Sequence, residues 1–126
     1  MKKLNQEQVL KLHSLSINET GGLDGVRDMG LLDSSLQSPF QSFAEEDIYP
    51  TIQGKAARIC FLLIKNHPFL DGNKRIGILI LLVFLEINGI SLDCTDNELI
   101  DLGLGIASGN LDSEYVSQWI IIHSRQ

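Results

Sequence analysis

The residues best suited to chemistry lie in one short segment, residues 67 to 77. His67 has the side chain best suited to take a proton near neutral pH, and Asp71 is an oxygen ligand of the kind that Mg²⁺ uses beside substrate phosphates. Two adjacent cations follow, Lys74 and Arg75. A base, a metal ligand and an anion site together predict the transfer of a phosphorus-centred group to a hydroxyl.

The anion site would be the start of the next helix, which is expected to begin near Asn73 or Lys74. The first N–H groups of a helix have no intrahelical acceptor, and the helix dipole favours negative charge there. Gly72 lets a ligand approach the backbone closely. Arg75 can hold phosphate with two parallel hydrogen bonds, whereas Lys74 acts as a point charge. Cations are disfavoured at a helix N-terminus, so an anionic ligand explains this pair better than a solvated helix start.

The element that must deliver His67 is a predicted helix over residues 51 to 65. Pro50 suits its first turn, and Pro68 stops it, because the residue before a proline avoids helical geometry. His67 would therefore lie at the helix end. Its alternative role is to cap the last carbonyls, but the other chemical residues beside it favour the base.

The element after the site is a predicted helix over residues 74 to 88, apolar on nearly all sides and so expected to be buried. Its internal Gly77 indicates close helix packing or close approach of a ligand. A polar loop between two buried helices needs partners or a ligand for its polar groups, which favours a site.

Periodicity and capping signals predict further helices along the chain. They cover residues 5 to 16 with Asn5 as cap, residues 29 to 37 after Asp28, a helix ending near Ala107 that is opened by a capping box at 95 to 98, and a last helix capped by Asp112 or Ser113 with Val116, Trp119, Ile120 and Ile121 facing inward. His13 is interpreted as a helix-surface or packing residue. No strong strand signal is found.

Two connecting segments allow more than one interpretation. Residues 17 to 28, with three glycines, form either a plain connection or a rim of the site. In residues 38 to 49 the rings of Phe40 and Phe43 are expected to pack, while the backbone is available to a partner. The acids at 45 to 47 are expected to be a solvated face.

Composition predicts one domain, residues 1 to 126, large enough for a single core. A net charge of −6 argues against nucleic-acid binding through a basic face. The longest apolar run is too short to span a membrane, and the start of the chain turns polar at once. Cys60 and Cys94 have no metal or redox spacing, which predicts buried free thiols in a cytoplasmic protein.

Residues 67 to 75, HPFLDGNKR, resemble the signature of the Fic/Doc superfamily. Within it the chain resembles the Doc, or death-on-curing, branch, because it is short, carries Lys74 where Fic adenylyl transferases usually have Gly, and has GGLDG at 21 to 25. The segments at 88 to 90 and 105 to 109 are also similar to Doc chains. The resemblance covers nearly the whole chain. It implies an all-α, compact bundle of about six helices around a buried central helix, with a short flap before the motif.

One position departs from the full Fic motif, which ends with a second Arg three positions after the first. This chain has Ile78 there. In Fic adenylyl transferases the second Arg helps to hold the outer phosphates of ATP so that the α-phosphate is exposed. Its absence, together with Lys74, favours the Doc-type arrangement, in which the γ-phosphate faces the acceptor.

The resemblance implies the toxin of a bacterial toxin–antitoxin pair, using ATP and Mg²⁺ to transfer the γ-phosphate to a Ser or Thr hydroxyl of a host protein. Elongation factor Tu is the expected target, so that translation stops. His67 would take the acceptor proton and Asp71 would hold Mg²⁺. Gly72 and Asn73 would supply backbone and side-chain donors to the transferring phosphate, and the following two cations would neutralise its charge.

Two rival functions stay open from the sequence. One is AMP transfer, as in Fic enzymes. The other is a catalytically silent protein that regulates through its antitoxin complex. In either case the resemblance implies an antitoxin whose C-terminal tail lies in a groove on the toxin. The inhibitory pattern Ser/Thr-x-x-x-Glu-Gly/Asn does not occur in the sequence, so inhibition is expected from another chain.

Overall fold

The computed structural model describes residues 1 to 125. Within them the chain forms six α-helices, which confirms the predicted all-α bundle. These are α1 (Gln6–Thr20), α2 (Met29–Gln37), α3 (Ile52–Asn66), α4 (Asn73–Ile87), α5 (Asp96–Ala107) and α6 (Ser113–His123). A short 3₁₀ turn, Ser38–Phe40, follows α2.

The described residues also contain four two-residue strands in two antiparallel pairs, although the sequence shows no strong strand signal. β1 (Ser42–Phe43) pairs with β2 (Glu46–Asp47), and β3 (Ser91–Leu92) pairs with β4 (Ser124–Arg125). The turn of the first pair holds Ala44 and Glu45 at positive φ, 53° and 69°. A two-residue hairpin turn with positive φ at both central residues usually places Asn or Gly there, so this pair lacks the usual sequence signal.

Helix α4 lies inside the bundle and packs against α1, α3 and α5. Its inner side chains are fully buried, because an all-apolar helix is stable only when other helices cover it. They are Ile76, Ile80, Leu81, Phe84 and Leu85. Among the described residues no helix has the length and apolar character needed to cross a membrane.

The predicted helix caps are confirmed. The side chain of Asn5 accepts from the N–H of Gln8, whose side chain accepts from the N–H of Asn5, and Thr95 and Glu98 form the same reciprocal pair at the start of α5. The carboxylate of Asp28 accepts from the N–H of Leu31, in the first turn of α2. Asp112, one of the two candidates named for α6, is its cap.

Several boundaries and burials differ from the sequence predictions. Helix α1 continues to Thr20, because Ile17 extends the buried stripe one turn beyond His13. Thr51 caps α3, so Pro50 lies before the cap and outside the first turn. On the surface, Phe43 is 79% exposed and does not pack, and Ile121 is half exposed and does not face inward.

The two cysteines behave differently. Cys60 is fully buried, and burial raises the pKa of its thiol to about 12, as expected for a thiol held among apolar side chains. Cys94 is only partly buried, which corrects the expectation that both are buried. Desolvation and then the nearby carboxylates of Glu98, Asp93 and Asp96 raise the pKa of its thiol. Both thiols are free.

Candidate active site

His67 ends α3 in the left-handed conformation, with φ 49° and ψ 56°. A non-glycine residue rarely adopts positive φ, and such positions cluster at functional sites. Pro68 explains why the helix ends at His67, because a proline disfavours helical geometry at the residue before it. The side chain of His67 is exposed at the end of the helix, where it can meet a substrate.

The loop between α3 and α4 is held by the amide of Asn73. This buried side chain accepts from the N–H of Phe69 (3.0 Å) and donates to the Phe69 carbonyl (3.1 Å). Its Nδ2 also lies 3.4 Å from Nδ1 of His67, a long and therefore weak contact. The oxygen and one N–H of this amide are therefore used inside the loop. Its implied role as a donor to the transferring phosphate stays a prediction, and the backbone N–H of Asn73 is a further candidate donor.

Asp71 is the only carboxylate of the motif loop, and backbone donors surround it. Its Oδ2 accepts from the N–H of Leu23 (3.2 Å) and its Oδ1 from the N–H of Gly72 (2.9 Å). The Leu23 N–H, then the Gly72 N–H, and then the charges of Arg75 and His13 hold the pKa of this carboxyl below its ordinary value. Asp71 is therefore ionised at neutral pH, as a metal ligand must be.

The start of α4 has the features expected of an anion site. Gly72 precedes the helix at φ 75° with no side-chain cap, and the first turn contains no acidic residue. Nη1 of Arg75 donates to the carbonyl of Gly21 (3.1 Å), and Lys74 is exposed. Of the ion pairs in the described chain, none involves either cation. The uncapped N–H groups and two cations leave a positive site suited to an anion.

The glycine-rich loop between α1 and α2 lies against the motif, so it forms a rim of the site and is more than a connection. Gly25 accepts from the N–H of Leu70 (3.1 Å), and Val26 pairs with Phe69 as an isolated antiparallel bridge. A Cβ on Gly22 would lie only 2.7 Å from Oδ2 of Asp71. A side chain there would displace the carboxylate.

His13 is a packing residue, one of the two roles expected from the sequence, but its contact with the motif loop was not predicted. It is 1% exposed, its ring stacks on Phe69 with centroids 3.8 Å apart, and its Nε2 donates to the carbonyl of Asp71 at 2.7 Å. Its Nδ1 lies 3.6 Å from the carboxylate of Asp24. The spacing of Val9, His13 and Ile17 was the available signal, because residues four apart share one helix face.

The residues around Asp71 fit a metal that arrives with a phosphate-bearing ligand. No group of three or more potential ligands among His, Cys, Asp and Glu occurs in the described part of the chain. Mg²⁺ commonly uses one or two carboxylates and takes its other ligands from substrate phosphates and water. A single ionised carboxylate beside an anion site matches that chemistry and does not match a protein-only metal cage.

The short hairpin β1–β2, the expected flap, is anchored away from His67. The buried ammonium of Lys55, in the first turn of α3, holds it by donating to Asp47 (3.1 Å) and to the carbonyl of Tyr49. The acids at 45 to 47 are all exposed, as expected of a solvated face, and Asp47 is in addition paired with Lys55. His67 ends the same helix about 20 Å further along its axis. The described contacts therefore do not place the hairpin beside the base.

An apolar groove of about 350 Å³ begins at the anion site and runs between α4 and α5. Its charged end is formed by Lys74 and Arg75, and the rest of its lining is apolar or glycine: Ile78, Leu79, Leu82, Leu99, Ile100, Gly103 and Leu104. Ile78, the position that departs from the Fic motif, is part of this wall. The groove is therefore continuous with the site through its two cations.

Comparisons with known proteins support the family that the motif at residues 67 to 75 resembles. A model of the Fic/DOC family matches residues 3–85. A protein of Mycolicibacterium smegmatis named Toxin Doc is 39% identical over 89 residues, which are 71% of this chain and 66% of that protein. A protein of Escherichia phage P1 named Protein kinase doc is 29% identical over 117 residues, 93% of this chain and 91% of the relative.

Proposed function

Because this chain belongs to the Fic/Doc family, on its Doc branch, we propose that it is an ATP-dependent protein kinase and the toxin of a toxin–antitoxin pair. One observation carries the proposal. A single loop brings together an exposed histidine, an ionised carboxylate and an uncapped helix N-terminus with two cations. These are the groups that phosphoryl transfer to a hydroxyl requires.

Each residue has a defined part in the transfer. His67 takes the proton of a Ser or Thr hydroxyl of the target, which displaces the weak contact to Asn73. Asp71 would hold Mg²⁺, which when bound would neutralise charge on the phosphates of ATP. The N–H groups at the start of α4, with Lys74 and Arg75, bind the transferring phosphate and stabilise the charge that develops on it.

Ile78 supports transfer of the γ-phosphate over transfer of AMP. Its side chain lines the apolar groove, where the full Fic motif would place a second guanidinium for the outer phosphates. An apolar wall offers these phosphates no hydrogen bond. The mass added to the target separates the two reactions, since a phosphate and an AMP differ in mass.

The test is mass spectrometry of purified elongation factor Tu after incubation with the protein, ATP and Mg²⁺. The expected result is a gain of one phosphate. His67→Ala should lower the rate by about 10²–10⁴-fold, because the general base is lost. His123→Ala is the matched control, since His123 lies on α6 and contacts Glu98 outside the site. A gain of AMP, or equal losses in both variants, would contradict the proposal.

The choice of elongation factor Tu rests on the resemblance alone and is tested separately. If that factor gains nothing, a bacterial lysate treated with the protein and labelled ATP is searched for proteins that acquire phosphate. Label that depends on His67 would support the proposed kinase activity and identify a different target. A lysate with no such label would contradict the kinase itself.

We also propose that the groove between α4 and α5 receives the C-terminal tail of an antitoxin. The tail would need apolar side chains for the walls and an acidic group for Lys74 and Arg75, and would then cover the anion site. Leu104→Glu should weaken copurification with the cognate antitoxin while transfer is retained. Ile122→Glu is the control, because Ile122 is exposed on α6 and does not line the groove. If both variants bind the antitoxin equally well, the groove is excluded as the binding site of the tail.

A further inference from the structure

We infer that Arg27, in the loop between α1 and α2, is a positioning residue for His67. Its guanidinium covers the C-terminal end of α3 and so fixes the left-handed backbone from which the imidazole projects. The catalytic consequence rests on the proposed function, in which His67 is the base. The structural part concerns only the contact between Arg27 and the helix end.

The contact is two-pronged. Nε of Arg27 donates to the carbonyl of His67 at 2.6 Å, and Nη2 donates to the carbonyl of Asn66 at 2.7 Å. The planar guanidinium presents these two N–H groups in a fixed fork, which one ammonium group cannot reproduce. A cation is also favoured at a helix C-terminus by the dipole. The charge of the guanidinium and the arrangement of its N–H groups therefore both favour this contact with the helix end.

The end of α3 needs such a donor because of the loop that follows it. The last carbonyls of a helix have no intrahelical partner, and they are usually satisfied by N–H groups of the residues that follow. The N–H groups three and four residues after Asn66, those of Phe69 and Leu70, donate instead to Oδ1 of Asn73 and to the Gly25 carbonyl. Arg27 therefore supplies from a distant loop the hydrogen bonds that these residues do not supply.

The backbone around Arg27 holds the guanidinium in place. The N–H groups of Arg27 and Asp28 both donate to the carbonyl of Pro68, at 2.8 Å and 3.0 Å. The pairing continues through the neighbouring Val26–Phe69 bridge. Asp28 also caps α2, so the segment is tied to a helix on one side and to the motif on the other. The Arg27 side chain is exposed, but its backbone is fixed.

Without the fork, His67 is expected to leave the left-handed conformation, because little else compensates that geometry at a non-glycine residue. The imidazole would then move relative to Asp71 and the start of α4, while the nucleotide contacts remain. The predicted consequence is a loss in kcat on the order of 10- to 100-fold with an unchanged KM for ATP. A nucleotide-binding residue would instead change KM.

The experiment uses the full chain with Arg27→Ala, Arg27→Lys and the control Lys65→Ala. Lys65 is an exposed cation in the last turn of α3, and no hydrogen bond in the described chain joins it to either carbonyl. Backbone amide and ¹³Cα resonances of His67 are followed by NMR in the free protein, and kcat and KM for ATP are measured by phosphate transfer. We expect both Arg27 variants to shift the His67 resonances and to lower kcat, and the control to do neither.

Unchanged His67 resonances in a folded Arg27→Ala would overturn the inference, and so would a rise in KM with kcat retained. Full activity of Arg27→Lys would show that charge alone suffices and would also overturn it. If Arg27→Ala does not fold, Arg27→Lys carries the same comparison. If the wild-type protein transfers no phosphate but the Arg27 variants still shift the His67 resonances, the proposed function is rejected and the positioning role is retained.

Discussion

Asp71 is the residue on which most of the surrounding groups act. Its two carboxylate oxygens each accept one backbone N–H, one from its own loop and one from the glycine-rich loop. His13 holds its carbonyl from the other side. The position and charge of this carboxylate therefore depend on three segments, and its environment gives predictions at the scale of single residues.

The lowered pKa of Asp71 makes part of the stability dependent on pH. Because the folded-state pKa lies below that of the unfolded chain, the ionised group stabilises the fold above the ordinary aspartate pKa of about 3.9. This contribution is lost as the pH falls through the lowered folded-state value. The melting temperature of wild type should therefore exceed that of Asp71→Asn at neutral pH, and the difference should shrink in acid. A difference that stays constant down to acid pH would contradict this prediction.

Gly22→Ala tests the approach of the glycine-rich loop to Asp71. The new Cβ would meet Oδ2 of Asp71 at 2.7 Å, so the carboxylate must move. Transfer activity is expected to fall on the order of 10²-fold, the usual effect of misplacing a reacting or metal-holding group. The positive φ of 112° adds a loss of stability of about 1 kcal/mol or more.

Gly89→Ala is the control for Gly22→Ala. Gly89 also has positive φ, but a Cβ added to it would have no heavy atom within 4 Å, and it follows α4 at the end opposite the site. It should lose comparable stability and keep its activity. Similar activity losses in the two variants would show that backbone strain, and not the carboxylate, is responsible.

At the scale of elements, the hairpin β1–β2 depends on one buried side chain. Lys55 is 2% exposed and joins α3 to Asp47 and to the Tyr49 carbonyl. The hairpin itself is short, its residues are exposed, and its turn lacks the usual glycine. Two-stranded hairpins are marginal alone in water, so this tether must supply much of its order.

Lys55→Met should therefore loosen the hairpin without unfolding the helices. A hydrogen bond to a charged group contributes about 1.5–3 kcal/mol, so amide exchange in residues 42 to 49 should accelerate on the order of tenfold or more. Hydrogen–deuterium exchange with mass spectrometry measures this. Lys65→Met, at the exposed end of the same helix, should leave the hairpin exchange unchanged. Slow exchange in Lys55→Met would mean that other contacts hold the hairpin.

At the scale of the whole molecule, two helical glycines lie at the interfaces between α4 and its neighbours. A Cβ on Gly77 would lie 2.6 Å from Cγ1 of Ile64 on α3. A Cβ on Gly103, on α5, would lie 3.5 Å from Cγ1 of Ile78 on α4, which is ordinary contact. The first interface has no room for a methyl group, whereas the second has.

Gly77→Ala and Gly103→Ala should accordingly have opposite effects on stability. Gly77→Ala overpacks the α3–α4 interface and should cost about 1–3 kcal/mol. Gly103→Ala removes a flexible residue from a helix interior and should stabilise by about 0.5–1 kcal/mol. Denaturant unfolding of both variants measures the difference. Destabilisation of the same size in both would contradict the packing described for α4 and α5.

Local signals in the sequence were sufficient for the helices, their caps and the motif. A cap joins residues three positions apart, and a buried helix face repeats every three or four residues, so both are visible in a short window. Asn5, Asp28 and Thr95 were identified as caps in this way and are confirmed. The motif at 67 to 75 placed the chain in its family for the same reason, because its chemical residues are contiguous.

The tertiary structure alone decided which distant groups hold that motif in place. Arg27 reaches His67 across 40 residues, and His13 reaches Asp71 across 58. Lys55 was hidden within an apolar stripe, and its burial follows from a hairpin whose turn has no sequence signal. A hydrogen bond between distant segments depends on how helices pack and leaves no periodic pattern. The sequence therefore determined the elements and their chemistry, and packing determined the partners that position them.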